Sequence, residues 1–322
     1  MRDMYITKSG TLKQDENTLL FDTGTETVRI PVKEVSSIHL LNETRLNSRL
    51  LQFLSKNHIP AYFYNYYGGY VGCFAPREQY LSGRIIVKQA LSYHSNSSRL
   101  EIAREMVEGA VHNIRKTLMQ YETESSRIDA ILEKCSYATS IENLMGFEGN
   151  ARAEYYSKFN SILKEDFFRM ENREFNPPPN PINALLSFGN SLLYNTVLSQ
   201  IFRTPLDPRI SFVHEPFERR YSLNLDIADI FKPLISDRVI FTMINKRMLS
   251  EEDFREETGY CFLSESGRKK FIQVYDEKLR QTIKHPTLKR NVSYRHLIRI
   301  ECYKLIKHIL EESHYGSFRI YW

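Results

Sequence analysis

Apolar residues alternate with polar ones through the first quarter of the chain and recur every third or fourth position through most of the remainder. Alternating runs at residues 19–21, 27–32 and 38–41 predict strands, separated by turn residues at Ser9-Gly10, 15–17 and Thr23-Gly24. A helical period interrupts at residues 46–57, where Leu46, Leu50, Leu51 and Leu54 share a face and the run stops before Ile59-Pro60. Strands resume at 61–65 and 70–74 about a Gly68-Gly69 turn. Tyr62, Phe63, Tyr64, Tyr66, Tyr67 and Tyr70 crowd this hairpin, a composition that fits a core or a subunit interface better than a stacking surface.

Beyond Pro76 the period is helical almost throughout. Residues 100–118 place Ile102, Ala103, Met106, Ala110, Val111, Ile114 and Leu118 on one side, as an amphipathic core helix does. The run Asn176-Pro-Pro-Pro-Asn-Pro181 excludes helix and reads as a rigid extended connector. The pattern therefore predicts an α+β protein: a small β-sandwich-like domain over residues 1–77, then a large all-α domain over 78–322.

A chain of 322 residues suits two such domains. No stretch approaches the ~18 consecutive apolar residues of a membrane span, so no membrane is expected. Cys73, Cys135, Cys261 and Cys302 are scattered without a C-x-x-C pair, which fits a reducing cytoplasm and argues against structural zinc. The net charge of +5 is unevenly spread: residues 268–308 hold twelve Lys and Arg against three acids, so this segment carries +9 and the rest −4. A basic C-terminal third is the footprint of a phosphate-backbone binder. In a helix predicted over 292–312, Leu297, Ile298, Leu305, Ile306 and Ile309 mark the buried side. Arg295, Arg299, Tyr303 and Lys307 project elsewhere, as a strip that could grip phosphates and stack on a base. Glu251-Glu252-Asp253 reads as a short solvated charge run.

Three segments carry candidate chemistry. Glu148 and Arg152 lie one helical turn apart, His214 sits in the run S-F-V-H-E-P, and Asp226 and Asp229 share one face of a helix over 223–233. Two carboxylates on one face repel unless a divalent ion or a basic cluster lies between them. Carboxylates with one imidazole suit Mg²⁺ or Mn²⁺. By spacing alone, a solvated face, a helix cap or a turn histidine fits these residues as well. The chain has no phosphate loop of the G-x-x-x-x-G-K type and no G-x-S-x-G elbow.

Four longer stretches go further: M-G-F-E-G-N-A-R-A-E-Y-Y around Glu148, N-P-I-N-A-L-L-S-F-G-N-S-L-L-Y at 180–194, F-V-H-E-P-F-E-R-R-Y-S-L-N-L-D-I-A-D-I-F-K-P at 212–233, and Y-R-H-L-I-R-I-E-C-Y-K-L at 294–305. In these motifs, in order, the chain resembles the CRISPR-associated spacer-acquisition integrases of the universal Cas-one family. It departs where many members have Tyr after S-F-G and this chain has Asn190. The resemblance implies a homodimer held by the β domain and a helical catalytic domain in which Glu148, His214 and Asp229 bind a divalent metal, Mg²⁺ or Mn²⁺. Asp226 matches a companion carboxylate beside the metal, and a further ligand role for it is open. The implied activity is that of a DNA endonuclease and integrase joining the 3′-hydroxyl ends of double-stranded DNA fragments to CRISPR repeat DNA, with the small Cas-two protein as partner. Arg219 and Arg220 join Arg295, Arg299 and Lys307 as candidate DNA contacts. Replacing any of the three metal ligands is expected to leave folding intact. A non-catalytic helical nucleic-acid binder is the alternative from another class, and a hydrolase of small phosphate esters a third.

Overall fold

The computed structural model describes residues 2–76, 80, 82–174, 177–216, 221–257 and 259–321. The N-terminal region holds β1 (Arg2–Ile6), β2 (Gly10–Asp15), β3 (Thr18–Asp22), β4 (Thr27–Pro31), β5 (Val35–Leu40), β6 (Thr44–Arg45), α1 (Ser48–Lys56), β7 (Ala61–Tyr64) and β8 (Tyr70–Phe74). They form two four-stranded sheets, ordered β1-β5-β7-β8 and β4-β3-β2-β6. The first is mixed, with β1, β5 and β7 parallel, and the second is built on the antiparallel meander β2-β3-β4.

One core lies between the sheets. Leu12, Leu19 and Phe21 of the second meet Ile6, Val35, Ile38, Leu40 and Ala61 of the first, and Leu50, Phe53 and Leu54 of α1 complete it. The predicted strands and the predicted helix are all present. What alternation did not predict is that β5 is buried at all six positions, including Ser36, Ser37 and His39. The far face of its sheet is covered by the helical region, so polar residues that would face water in a free sandwich face protein instead.

Those buried polar groups are chained by hydrogen bonds. Ser37 Oγ donates to Asp3 at 2.6 Å, His39 Nε2 lies 3.1 Å from Ser37 Oγ, and His39 Nδ1 lies 2.8 Å from Tyr64 Oη. Asn195 Nδ2, from the helical region, donates to the same Tyr64 oxygen at 2.6 Å. Burial lowers the His39 pKa to about 4, so the ring is neutral. Tyr62 and Tyr64 belong to the core of the helical region, whereas Tyr66, Tyr67 and Tyr70 of the same hairpin are exposed. The aromatic cluster is thus divided between core and surface.

The helical region comprises α2 (Gly83–His94), α3 (Asn96–Gln120), α4 (Ser126–Ser136), α5 (Ile141–Ser157), α6 (Phe159–Ile162), α7 (Pro181–Ile201), α8 (Leu223–Phe231), α9 (Ser236–Asn245), α10 (Glu265–Arg280) and α11 (Tyr294–Ile309). Helix α7 starts after Asn180, whose side chain accepts from Asn183 N, with Pro181 in the first turn. It is buried on nearly every face, as its all-round apolar sequence requires, and packs against α8, α9 and α11. Asn190 is buried within it, and its Oδ1 has no hydrogen-bond partner.

The all-α expectation for this region needs correction. Strands β9 (Phe254–Glu257) and β10 (Tyr260–Leu263) form one antiparallel pair, and β11 (Thr282–Lys284) and β12 (Asn291–Ser293) another. Gly259, at φ +80, supplies the left-handed turn of the first pair. The second pair takes the first residues of the helix predicted over 292–312, which starts instead at Tyr294 behind a Ser293 cap. Asp253 is not solvated either: it is buried and accepts from Ser250 N, Ser266 Oγ and Lys270 Nζ at 3.0, 2.9 and 2.7 Å.

Candidate functional site

Helix α3 packs against both α5 and α8, which brings Glu148 on α5 near Asp226 and Asp229 on α8. The loop carrying His214 is fastened to the start of α8. Ser211 Oγ donates to His214 O at 2.6 Å and lies 2.8 Å from Ser222 Oγ, and Ser222 Oγ donates to Arg209 O at 2.9 Å. From the other side, Arg99 of α3 donates to Phe212 O at 2.9 Å and to Glu215 at 2.7 Å, while Tyr93 of α2 donates to Glu215 at 2.8 Å. Fully buried Gln89 reads the backbone just upstream, donating to Asp207 O and Ile210 O and accepting from Asp207 N.

Asp226 is the keystone of this loop. Its Oδ2 accepts from Phe212 N at 2.6 Å and Val213 N at 3.0 Å, and its Oδ1 accepts from His214 N at 3.0 Å and His214 Nδ1 at 2.7 Å. A carboxylate offers about four lone-pair directions, and all are taken. Asp226 therefore has no lone pair left for a metal, which removes it from the candidate ligands and makes it the residue that positions His214. With Nδ1 donating to Asp226, the neutral form of the ring carries its lone pair on Nε2. Burial opposes protonation of His214, but the Asp226 hydrogen bond and the charges of Asp226, Asp229 and Glu148 outweigh it and raise the pKa.

Asp229, a turn further along α8, is buried between two cations. Lys232 Nζ stands 2.6 Å and Arg152 Nη2 2.8 Å from its Oδ1. Arg152 Nε also donates to Glu148, its neighbour one turn back on α5, so one guanidinium bridges the two carboxylates. Burial disfavours the charge on Asp229, yet Arg152, Lys232 and His214 hold its carboxyl below the usual range. The repulsion expected between Asp226 and Asp229 is thus relieved by the protein's own donors: backbone N–H groups and an imidazole for one, a buried Arg and Lys for the other.

The donors fit a hard divalent ion in kind: two carboxylates and an imidazole nitrogen held in one tautomer. Arg152 stands between the two carboxylates, with its guanidinium on both. Among the described residues, the trio of His and carboxylate donors converging within 4.8 Å is Glu101, His308 and His314, at the surface. There His308 Nδ1 accepts from Tyr315 N at 3.1 Å, which puts the imidazole proton on Nε2 and leaves that ring a poor ligand.

The candidate DNA contacts separate. Arg219 and Arg220 lie outside the described residues. Arg295 does not project outward: it is partly buried, turned against Asp3 of β1 at 2.8 Å and Asp276 of α10 at 3.1 Å, and so ties β1 to the helical region. Arg299 donates twice to buried Gln200, at 3.0 and 2.7 Å. Of the predicted strip, only Lys307 and Tyr303 are exposed, because two negative or polar partners from distant segments draw the arginines inward.

The sequence reading did not single out Lys232, Gln89, Arg99, Ser211 or Ser222. Lys232 was findable, three residues after Asp229 on the same helical face. Gln89 and Arg99 were not, since their partners lie more than a hundred residues away.

A family model described as CRISPR associated protein Cas1 matches residues 4–277, and the chain belongs to that family. It is 48% identical, over 100% of both chains, to the CRISPR-associated endonuclease Cas1 3 of Thermodesulfovibrio yellowstonii. A solved Cas1 protein from Thermotoga maritima superposes with a TM-score of 0.92 at 42% identity, covering 98% of this chain and 99% of that one. A casposase solved bound to its integration product shares the fold alone, with a TM-score of 0.88 at 19% identity over 99% of this chain and 93% of that one. No described helix is long and apolar enough to cross a membrane.

Proposed function

We propose that the protein is a divalent-metal-dependent DNA endonuclease and integrase of CRISPR adaptation, which joins the 3′-hydroxyl ends of short double-stranded DNA fragments to the repeat of a CRISPR array. Family membership supports the endonuclease reading. The observation that carries the chemistry is Asp226, which spends its whole hydrogen-bonding capacity on holding the ring and loop of His214 close to Glu148 and Asp229. A merely structural histidine would not need its loop held by three backbone N–H groups as well as its ring.

Glu148, His214 and Asp229 would hold Mg²⁺ or Mn²⁺, which supplies Lewis-acid polarisation of the target phosphate and charge stabilisation on the attacking or leaving oxygen. In the reaction the fragment's 3′-oxygen forms a new bond to a repeat phosphorus, and the bond from that phosphorus to the repeat strand's 3′-oxygen breaks. One phosphodiester replaces another, so no nucleotide cofactor is consumed. Lys232, buried at the centre and flanked by the Tyr194 ring, keeps Asp229 ionised. Gln89, Arg99 and Asp226 keep the His214 loop in place. Tyr66, Tyr67, Tyr70 and Val71, exposed on the β7–β8 hairpin, form the surface proposed for homodimerisation, and the small Cas-two protein is the proposed further partner.

A strand-transfer assay tests this reading, using a labelled short duplex, a plasmid carrying a CRISPR repeat and millimolar Mn²⁺. Glu148→Gln and His214→Ala should lose transfer while the proteins stay folded. Asp226→Asn should weaken it by about 10–100-fold through a misplaced imidazole. Wild-type rates in His214→Ala, or DNA binding without strand breakage in the wild type, would favour a non-catalytic binder instead.

A further inference from the structure

Resting on that metal reading, we propose that Arg152 is a built-in occupant of the centre, which must leave the gap between Glu148 and Asp229 before a divalent ion can enter. Its guanidinium bridges the two carboxylates, with Nε on Glu148 and Nη2 at 2.8 Å from Asp229. The bridging fork stands between two of the three side chains that a shared ion would need to draw together.

Charge counting gives the same result. Arg152 and Lys232 contribute two positive charges against the two negative ones of Glu148 and Asp229, so these four side chains balance one another without an ion, beside the Asp226–His214 pair. A dication entering beside an unmoved Arg152 would meet a carboxylate pair that is already neutralised and a cation in contact. The arginine is nevertheless not locked. Arg152 Nη2 and Asp229 Oδ1 are buried and 2.8 Å apart, yet this contact lacks hydrogen-bond geometry. Their contact is Coulombic rather than directional, and the Arg152 side chain keeps 16% of its surface open. Rotation about its side-chain bonds would release the fork. The guanidinium then acts as a competitive inhibitor of the ion, holding metal affinity below what the three ligands would give alone.

The test is Mn²⁺ binding, not turnover. Full-length wild type, Arg152→Gln and Arg152→Lys, each carrying His314→Ala to remove the surface His and Glu cluster, are titrated with Mn²⁺ while free ion is read by electron paramagnetic resonance. Circular dichroism verifies folding. Arg152→Gln should bind Mn²⁺ at least about tenfold more tightly than wild type. Arg152→Lys keeps the charge but not the fork, so it should also gain, by a smaller factor. Affinity that is unchanged or weaker in folded Arg152→Gln would overturn the proposal. A gain in Gln but none in Lys would also overturn it, by assigning the effect to bare charge repulsion. If wild type and both variants bind no Mn²⁺ at millimolar concentration, the metal reading itself fails, and the proposal with it.

Discussion

Asp229→Ala is the most informative single perturbation of the fold, because it strands two cations at once. The side chains of Asp229, Arg152 and Lys232 expose only 11, 16 and 10% of their surface, so solvent screens the broken pairs little. Removing one partner of such a buried pair costs about 3–5 kcal/mol. Two features place this case at the lower end. Arg152 keeps Glu148, and Lys232 Nζ stays 4.8 Å from the Tyr194 ring centroid, a cation–π contact of about 1 kcal/mol. With unfolding entropy of about 2.1 cal/mol/K per residue, a loss of ~3 kcal/mol in a chain of 322 residues lowers Tm by about 4 °C. Thermal denaturation followed by circular dichroism in EDTA reads this directly, with no metal to contribute. Lys232→Met in the Asp229→Ala background should recover part of the loss by removing a buried cation left without its paired carboxylate. An Asp229→Ala protein with wild-type Tm in EDTA would refute the reasoning. The expectation that a ligand substitution leaves folding intact is thereby revised for Asp229, and it stands for Glu148, which is more exposed and shares its cation.

Two further outcomes follow from the same kind of reading. Lys307→Gln should flatten the dependence of log DNA affinity on log salt by about 0.9 if it meets one phosphate, whereas Arg295→Gln should lower Tm and leave the slope alone; equal flattening by both would contradict the inward position of Arg295. Buried Asp237, pushed up to about 7 by desolvation, binds its proton more tightly folded than unfolded, so it contributes stability below about pH 4 that is lost as pH rises through 7. Asp237→Asn should therefore stabilise the protein at pH 8 relative to wild type, with the difference shrinking towards pH 4, and a constant difference across that range would exclude Asp237 as the titrating group.

Much of this protein was legible in the chain itself. Period-two and period-3.6 patterns located the strands and helices of the N-terminal region, because burial of one face repeats with the geometry of the element. The resemblance of four ordered motifs to one family marked Glu148, His214 and Asp229, where spacing alone left a solvated face, a cap or a turn histidine equally open. The tertiary structure decided how each residue is used. Asp226 and Asp229 are chemically alike in sequence, yet one is saturated by backbone N–H groups and the other faces Arg152 and Lys232. Arg295 sits on a strip that reads as solvent-facing, but Asp3, 292 residues earlier, turns it inward. The polar face of β5 is buried because helices that begin dozens of residues later cover it. Periodicity reports that a side chain lies on a given face, since that follows from local backbone geometry. What the face meets depends on long-range packing and on where opposite charges come to rest, which no local pattern encodes.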